Sequence, residues 1–148
     1  MTRVTEDIES LPSFRAAVAL SRLDRARRAA ETRSELGVAT QRLMWLFRDG
    51  QARTLKDVAD TLGLEQSTVN RQVNAALDAD LLRRYRDPGQ TAHLLEATEN
   101  GITRFERDLQ WGLELMDTAL AAVPSSQRAD FLDHLLKFAE TYDAAAHH

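Results

Sequence analysis

The sequence contains no cysteine, only three prolines and only two lysines among its 148 residues. Without cysteine the chain cannot form disulfides, thiolate zinc sites or a cysteine-based redox sensor. No apolar run reaches the length of about 20 residues that a membrane-spanning helix needs, and no cleavable signal segment is recognisable. We therefore expect a cytoplasmic protein.

Signatures of catalysis and of metal binding are also missing from the sequence. There is no glycine-rich phosphate loop, no nucleophile with a base beside it, and no carboxylate pair in an apolar context. His93 and His134 stand alone, without a partner at metal-ligand spacing. We therefore expect neither an enzyme nor a bound metal or other cofactor.

The segment from Thr54 to Leu77 has the pattern of two short helices joined at a glycine. Thr54 and Asp57 stand three apart, as in a capping box at a helix start. Gly63 can adopt a positive φ and end that helix. Apolar residues recur at helical spacing in the first helix, at Leu55, Val58, Ala59 and Leu62. This arrangement is typical of a helix-turn-helix, whose second helix reads the major groove of DNA.

The second helix separates an apolar face from a polar one. The residues predicted to face inward are Val69, Val73, Ala76 and Leu77. The outward and flanking positions hold Gln66, Ser67, Thr68, Asn70, Arg71 and Asn74. Arg can bridge two acceptors of guanine, and Asn or Gln can pair with adenine in the same way. A polar helix face is more often plain solvated surface, but the neighbouring elements favour DNA binding here.

A hairpin is predicted directly after this helix. Residues 81–86 and 91–97 read as strands around the turn sequence DPGQ at 87–90. Three arginines, Arg83, Arg84 and Arg86, lie beside the groove-facing helix. Together with Thr54 they would hold backbone phosphates. Two helices followed by a hairpin form the winged variant of the helix-turn-helix.

On these residues the chain resembles the MarR family of bacterial transcription regulators. The resemblance lies in LKDVADTLGLEQSTVNRQVNAAL, in LLRRYRDPG, in LEATENG at the start of a long helix, and in helices at both ends. It implies a mainly α fold with a small β-hairpin wing, and an obligate homodimer. It also implies binding to double-stranded DNA at a pseudo-palindromic site and, in many members, a small-molecule effector. The family's recognition-helix positions fall on Gln66, Ser67, Thr68, Asn70, Arg71 and Asn74.

The chain is expected to consist of a winged module at 37–98, a helical dimerisation region at 1–36 and 99–143, and a tag or tail at 144–148. Apolar stripes at helical spacing mark the dimerisation helices, at Leu11, Phe14, Val18, Leu120, Phe131, Leu135, Phe138 and Tyr142. Packing within one chain is the alternative. A small module offers too little surface to cover three helices, which favours a bundle shared by two copies.

The boundaries of the C-terminal helices follow from the same pattern. One helix is predicted from Ile102 to Val123, because Pro124 would stop it. Ser125 or Ser126 would then cap the next helix. Trp45, Arg48 and Trp111 are candidates for an effector site, although core or interface packing is the simpler interpretation of the two tryptophans.

The net charge of −4 is unevenly distributed. Residues 51–86 carry six basic and five acidic side chains, whereas residues 97–148 carry four and nine. The acidity therefore lies outside the proposed DNA-binding module. We expect a sequence-specific homodimeric transcription regulator, a repressor that a small-molecule effector releases. The alternative is a winged-helix protein–protein interaction module with little DNA affinity.

The wing departs from the family at its tip. Members usually carry Asp-x-Arg there, and the Arg enters the minor groove. This chain has Gly89, Gln90 and Thr91 instead, in a wing about one residue shorter. Gln90 could still donate a hydrogen bond to DNA, so it remains a candidate contact.

We expect Gln90→Arg to tighten DNA binding if the wing lies over the minor groove, because the substitution restores the missing cation. Fluorescence anisotropy at two salt concentrations measures the change. Unaltered affinity together with unaltered salt dependence would place the wing away from the DNA.

Overall fold

A computed structural model describes residues 7–148, and these are mainly helical. The helices are α1 (Pro12–Glu31), α2 (Val38–Leu46), α3 (Leu55–Leu62), α4 (Gln66–Asp78), α5 (Glu99–Leu120) and α6 (Arg128–Ala146). Strands β1 (Leu82–Tyr85) and β2 (Leu94–Ala97) form an antiparallel hairpin between α4 and α5. The mainly α fold with a small β-hairpin wing is thereby confirmed.

The chain divides into two compact units, of which the first ends at Asp108 and the second begins at Leu109. The first unit holds one apolar core, built from α2, α3, α4, both strands and the start of α5. Its buried members are Leu36, Leu43, Met44, Phe47, Val58, Ala59, Val69, Val73, Ala76, Leu81, Leu82, Leu95 and Phe105. Neither α1 nor α6 contributes a buried residue.

Helix α3 begins and ends as its sequence predicts. The Thr54 hydroxyl accepts from the Asp57 backbone N–H at 3.1 Å, and the Asp57 carboxylate accepts from the Thr54 N–H at 3.1 Å. The Thr54 backbone N–H, and after it the Thr54 hydroxyl, hold the pKa of the Asp57 carboxyl below its usual value. Gly63 has a φ of 64° and ends the helix in the left-handed conformation. The predicted capping box and glycine C-cap are both confirmed.

Helix α5 starts in close contact with the chain between α4 and β1. The Thr98 N–H donates to the Leu81 carbonyl at 3.0 Å, and the Thr98 hydroxyl accepts from the Gly101 N–H at 2.9 Å. A Cβ atom at Gly101 would lie 2.1 Å from the Leu81 carbonyl oxygen. Only glycine therefore allows α5 to approach the module this closely.

A buried carboxylate fastens the linker between α1 and α2 to α5. Asp108, which is only 8% exposed, accepts from the backbone N–H groups of Glu35 (3.0 Å) and Leu36 (2.7 Å). The Glu35 carboxylate in turn pairs with Arg104 at 2.6 Å and with Arg107 at 3.5 Å. Linker and helix thus each supply donors and acceptors to the other, which satisfies Asp108 without a cation of its own.

Several predicted boundaries are wrong. The return strand begins at Leu94 and not at residue 91, so the loop between the strands is longer than a tight turn. Helix α5 ends at Leu120, and a 3₁₀ turn (Ser125–Gln127) precedes α6.

The N-cap residue of α6 is Gln127, and it makes no side-chain cap hydrogen bond. The expected serine cap is therefore not formed among the described residues. The Arg128 guanidinium instead donates to the carbonyls of Leu120 (3.0 Å) and Val123 (2.8 Å). This arginine therefore ties the start of α6 to carbonyl groups at and just after the end of α5. Helix α6 also runs through Ala146, so residues 144–146 of the predicted tail belong to its last turn.

We expect Gly101→Ala to destabilise the protein by about 1–3 kcal/mol, because its new Cβ would overlap the Leu81 carbonyl and force the backbone to shift. Denaturant unfolding measures the change. Gly112→Ala is the control in the same helix, since a Cβ there has no described atom within 4 Å. The control should gain about 0.5–1 kcal/mol from helix propensity. Equal stability of the two variants would contradict this account.

Candidate nucleic-acid interface

Helix α4 is held in one orientation by its apolar face. Val69 and Val73 have no exposed surface, and Ala76 is also buried. The helix contacts α2, α3 and β1 on this side. The predicted inward face is therefore confirmed, and the opposite face of α4 must point into solvent.

Five of the six polar positions predicted on α4 are exposed: Gln66, Ser67, Asn70, Arg71 and Asn74. Thr68 is half-buried, because it stands between the exposed face and the buried Val69. Across residues 7–148, no carboxylate lies within ion-pair distance of Arg71. The face therefore presents a guanidinium and three carboxamides, those of Gln66, Asn70 and Asn74, whose donors are available to a ligand.

The start of α4 suits an anion as well. Its N-cap residue, Glu65, makes no side-chain cap hydrogen bond. The backbone N–H groups of the first turn therefore keep the partial positive charge of a helix N-terminus. Thr54 lies at the start of α3, where its hydroxyl oxygen accepts from Asp57.

The three arginines of the wing occupy different environments. Arg83 pairs across the hairpin with Glu96, and its guanidinium lies 4.9 Å from the Tyr85 ring centroid. Arg84 is exposed and, within the described residues, has no ion-pair partner. Arg86 lies against His93, with 3.1 Å between Nη2 and Nε2. Only part of the positive charge predicted on the wing is therefore unpaired.

The sequence reasoning did not consider Glu96, and it treated His93 as isolated. Both become neighbours of arginines only when the strands are paired, with Arg83 opposite Glu96 and Tyr85 opposite Leu94. These contacts could be predicted only from the register in which the two strands pair. The predicted return strand, which starts at residue 91, would have given the wrong register. Gln90, by contrast, lies where it was predicted, exposed in a turn closed by its N–H to the Asp87 carbonyl at 3.0 Å.

Two of the predicted effector residues, Trp45 and Arg48, are in contact within the first compact unit. The Arg48 guanidinium lies 3.8 Å from the Trp45 ring centroid and donates to the Trp45 carbonyl at 2.7 Å. Trp45 also meets Phe105 edge to face, with 6.2 Å between centroids. Trp111 is half-buried in the second compact unit. The structure thus joins Trp45 and Arg48 in one cation–π contact.

The residues predicted to make the dimer are almost all accessible in the single chain. Those that are exposed are Leu11, Phe14, Val18, Phe131, Leu135, Phe138 and Tyr142, while Leu120 is half-buried.

In the described range, from residue 7 onward, no helix is long and apolar enough to cross a membrane. Over the same range no group of acidic and histidine side chains is arranged to hold a metal ion.

Comparison with known proteins bears on the fold. No protein-family model matches the sequence, and no curated protein matches it either. Several solved structures, in contrast, align with most of this chain and with nearly all of their own chains. The YusO protein of Bacillus subtilis aligns with a TM-score of 0.73 at 14% identity, over 88% of this chain and 98% of its own.

Two further matches are named as transcription regulators. MepR, a regulator of the Staphylococcus aureus multidrug efflux pump MepA, aligns with a TM-score of 0.70 at 17% identity, over 83% of this chain and 96% of its own. The PcaV transcriptional regulator of Streptomyces coelicolor aligns with a TM-score of 0.68 at 20% identity, over 87% and 98%. A MepR mutant has been solved bound to an oligodeoxyribonucleotide, and PcaV in complex with its natural ligand. The chain therefore has the winged-helix fold of MarR-type regulators.

Proposed function

We propose that this protein is a homodimeric, sequence-specific DNA-binding transcription regulator of the MarR type, acting as a repressor. The observation that carries the proposal is the two-sided character of α4. Burial of Val69 and Val73 leaves Asn70, Arg71 and Asn74 exposed on the opposite side. A helix with this face, held by a second helix and a wing, suits the major groove.

The exposed side chains of α4 divide between base and phosphate contacts. Arg71 reads guanine through O6 and N7, and Asn70, Asn74 and Gln66 are suited to adenine. Ser67 and Thr68 lie in the first turn, where hydroxyls and backbone N–H groups receive phosphate oxygens.

Further phosphate contacts come from Thr54 and from the wing arginines Arg83, Arg84 and Arg86, while Gln90 reaches DNA at the wing tip. Such contacts fix the register of the protein on DNA and carry no sequence information.

The exposed apolar faces of α1 and α6 support the proposed dimer. Phe14 is 38% exposed and Tyr142 is 58% exposed in the single chain. Residues 1–36 and 99–143 would form the shared bundle, 37–98 the winged module, and 144–148 a tail. A two-fold dimer sets the recognition helices about 34 Å apart and requires a pseudo-palindromic site.

Regulation by a small molecule is the finer part of the proposal. The solved complexes of MepR with an oligonucleotide and of PcaV with its natural ligand support both DNA binding and effector binding. Trp45 and Arg48 offer an aromatic face with a cation above it, which suits an anionic effector that releases the protein from DNA. Trp111 is a further candidate. A regulator of this kind acts in the cytoplasm.

We expect Arg71→Ala to remove specific DNA binding, because one bidentate contact is worth about 1–3 kcal/mol in each half-site. The probe is the duplex immediately upstream of the protein's own gene, and fluorescence anisotropy reports its affinity. Arg25→Ala is the matched control, since Arg25 is exposed on α1, outside the winged module. If Arg71→Ala bound as tightly as Arg25→Ala, the assignment of the reading face would be wrong.

Glu96→Gln should tighten binding to DNA of any sequence, because it releases Arg83 from its ion pair for a phosphate. The slope of log K against log salt should steepen by about 0.9 for each wing that gains a phosphate contact. Glu140→Gln makes the same change of net charge on exposed α6 and controls for it. If both substitutions changed DNA affinity equally, Arg83 would not be a phosphate contact.

A further inference from the structure

One buried carboxylate joins three segments that are far apart in the sequence. Asp108 of α5 accepts hydrogen bonds from the backbone N–H groups of Glu35 (3.0 Å) and Leu36 (2.7 Å), in the linker before α2. It also accepts from Nε2 of Gln41 on α2 at 3.2 Å. These four residues form the Asp108 network. The linker and α2 are therefore bonded to the same side chain of α5.

The network is buried at its centre and reinforced by an ion pair at its surface. Asp108 is 8% exposed, and Leu36 belongs to the apolar core of the first unit. The Glu35 side chain points outward and pairs with Arg104 of α5 at 2.6 Å. Hydrogen bonds are directional, and a fully satisfied buried network is rigid. Two successive backbone N–H groups that donate to Asp108 therefore fix the course of the linker.

Helix α1 depends on this linker for its direction. The helix ends at Glu31, shortly before the held residues 35–36, and none of its own residues is buried. The N–H groups of Thr32 and Ser34 still donate to carbonyls of the final residues of α1, each at 3.2 Å. These bonds make the start of the linker continuous with the helix. The direction of α1 is therefore set mainly where Asp108 holds the chain.

A small change at the linker becomes a large one at the far end of α1. The helix has 20 residues and so extends about 30 Å, which means that a turn of about 10° at Glu31 displaces its start by about 5 Å. Phe14 and Val18, exposed residues of the proposed dimer face, lie near that start. In a two-fold dimer, such a displacement also moves the partner's winged module.

We propose that Asp108 is a positioning residue for DNA binding, which sets the separation of the two recognition helices by fixing the direction of α1. The proposal rests on the proposed function, because it requires a dimer formed through α1. Half-sites one helical turn apart demand a separation of about 34 Å. A dimer that already holds this separation binds more tightly than one that samples several, since only the competent fraction binds.

The lack of cysteine in the sequence allows this separation to be measured directly. Ala75 is exposed on α4, so Ala75→Cys gives each recognition helix a single attachment point for a nitroxide label. Double electron–electron resonance on the DNA-free dimer reports the distribution of distances between the two labels. We expect one narrow distribution when Asp108 is present. Asp108→Asn keeps the size of the side chain but loses one acceptor oxygen, and it should broaden the distribution by about 5 Å or more.

Two further variants separate positioning from loss of charge and from loss of fold. Glu106→Gln is the matched control, because Glu106 is exposed on the same helix and should leave the distribution narrow. Glu35→Ala removes the ion pairs with Arg104 and Arg107 at the surface, where the fold should tolerate the change, and should broaden the distribution by a smaller amount. A purely structural role would lower the melting temperature and leave folded dimers with the narrow distribution. That result in both Asp108→Asn and Glu35→Ala would overturn the proposal.

DNA affinity connects the separation to function. Asp108→Asn should bind the duplex upstream of the protein's own gene about three- to tenfold more weakly than Glu106→Gln, as expected if about a third to a tenth of its dimers hold the competent separation. Fluorescence anisotropy measures both affinities. An unchanged affinity despite a broadened distribution would overturn the role of Asp108 in DNA binding.

The two measurements also distinguish this proposal from the proposed function. Preference for the upstream duplex over a scrambled one, with a narrow distribution in Asp108→Asn and Glu35→Ala, would overturn the role of Asp108 and leave the regulator standing. Equal affinity for both duplexes, with a distribution that broadens in Asp108→Asn, would overturn sequence-specific regulation and leave the control of dimer geometry standing.

Discussion

The orientation of α4 in the core is the constraint on which every proposed DNA contact depends. Val69 and Val73 are fully buried, and burying each side chain contributes roughly 1.5–3 kcal/mol. Turning the helix by one residue, about 100°, would expose these valines and carry polar side chains such as Arg71 toward the core. An unpaired guanidinium there would cost several kcal/mol. The core thus selects the outward face, and that face is the one with base-reading chemistry.

The surroundings of α4 are held in place by polar contacts and by one close approach. Gly101 lets the first turn of α5 lie against the Leu81 carbonyl, at the point where α4 gives way to the wing. Farther along α5, Asp108 accepts from the linker before α2, and Glu35 of that linker returns ion pairs to α5. Contacts at Gly101 and at Asp108 therefore join α5 to the winged module and to the linker that precedes it.

The sequence predicts those parts of the structure that depend on near neighbours. The capping box of Thr54 and Asp57, the turn at Gly63 and the two faces of α4 all arise within a few residues of chain, and all are confirmed. Hydrophobic periodicity sets the phase of a helix without reference to the rest of the fold.

What the sequence did not predict depends on contacts between distant residues. Glu96 neutralises Arg83 only in the actual strand register, which a return strand from residue 91 would have shifted. Asp108 reads as one more surface carboxylate until the linker folds over it. The close approach of the Leu81 carbonyl to Gly101 could not be predicted either. The segment LEATENG contains the glycine, but it does not show which distant residue packs against it.

Binding of the wild-type protein to the DNA immediately upstream of its own gene is the measurement that tests the central claim most directly. Fluorescence anisotropy against a scrambled duplex, at two salt concentrations, separates base reading from phosphate attraction. We predict tight binding by a dimer to the upstream duplex, weakened by salt, and much weaker binding to the scrambled one. Equally weak binding to both duplexes by a folded dimer would contradict the account and favour a protein partner for the wing and α4.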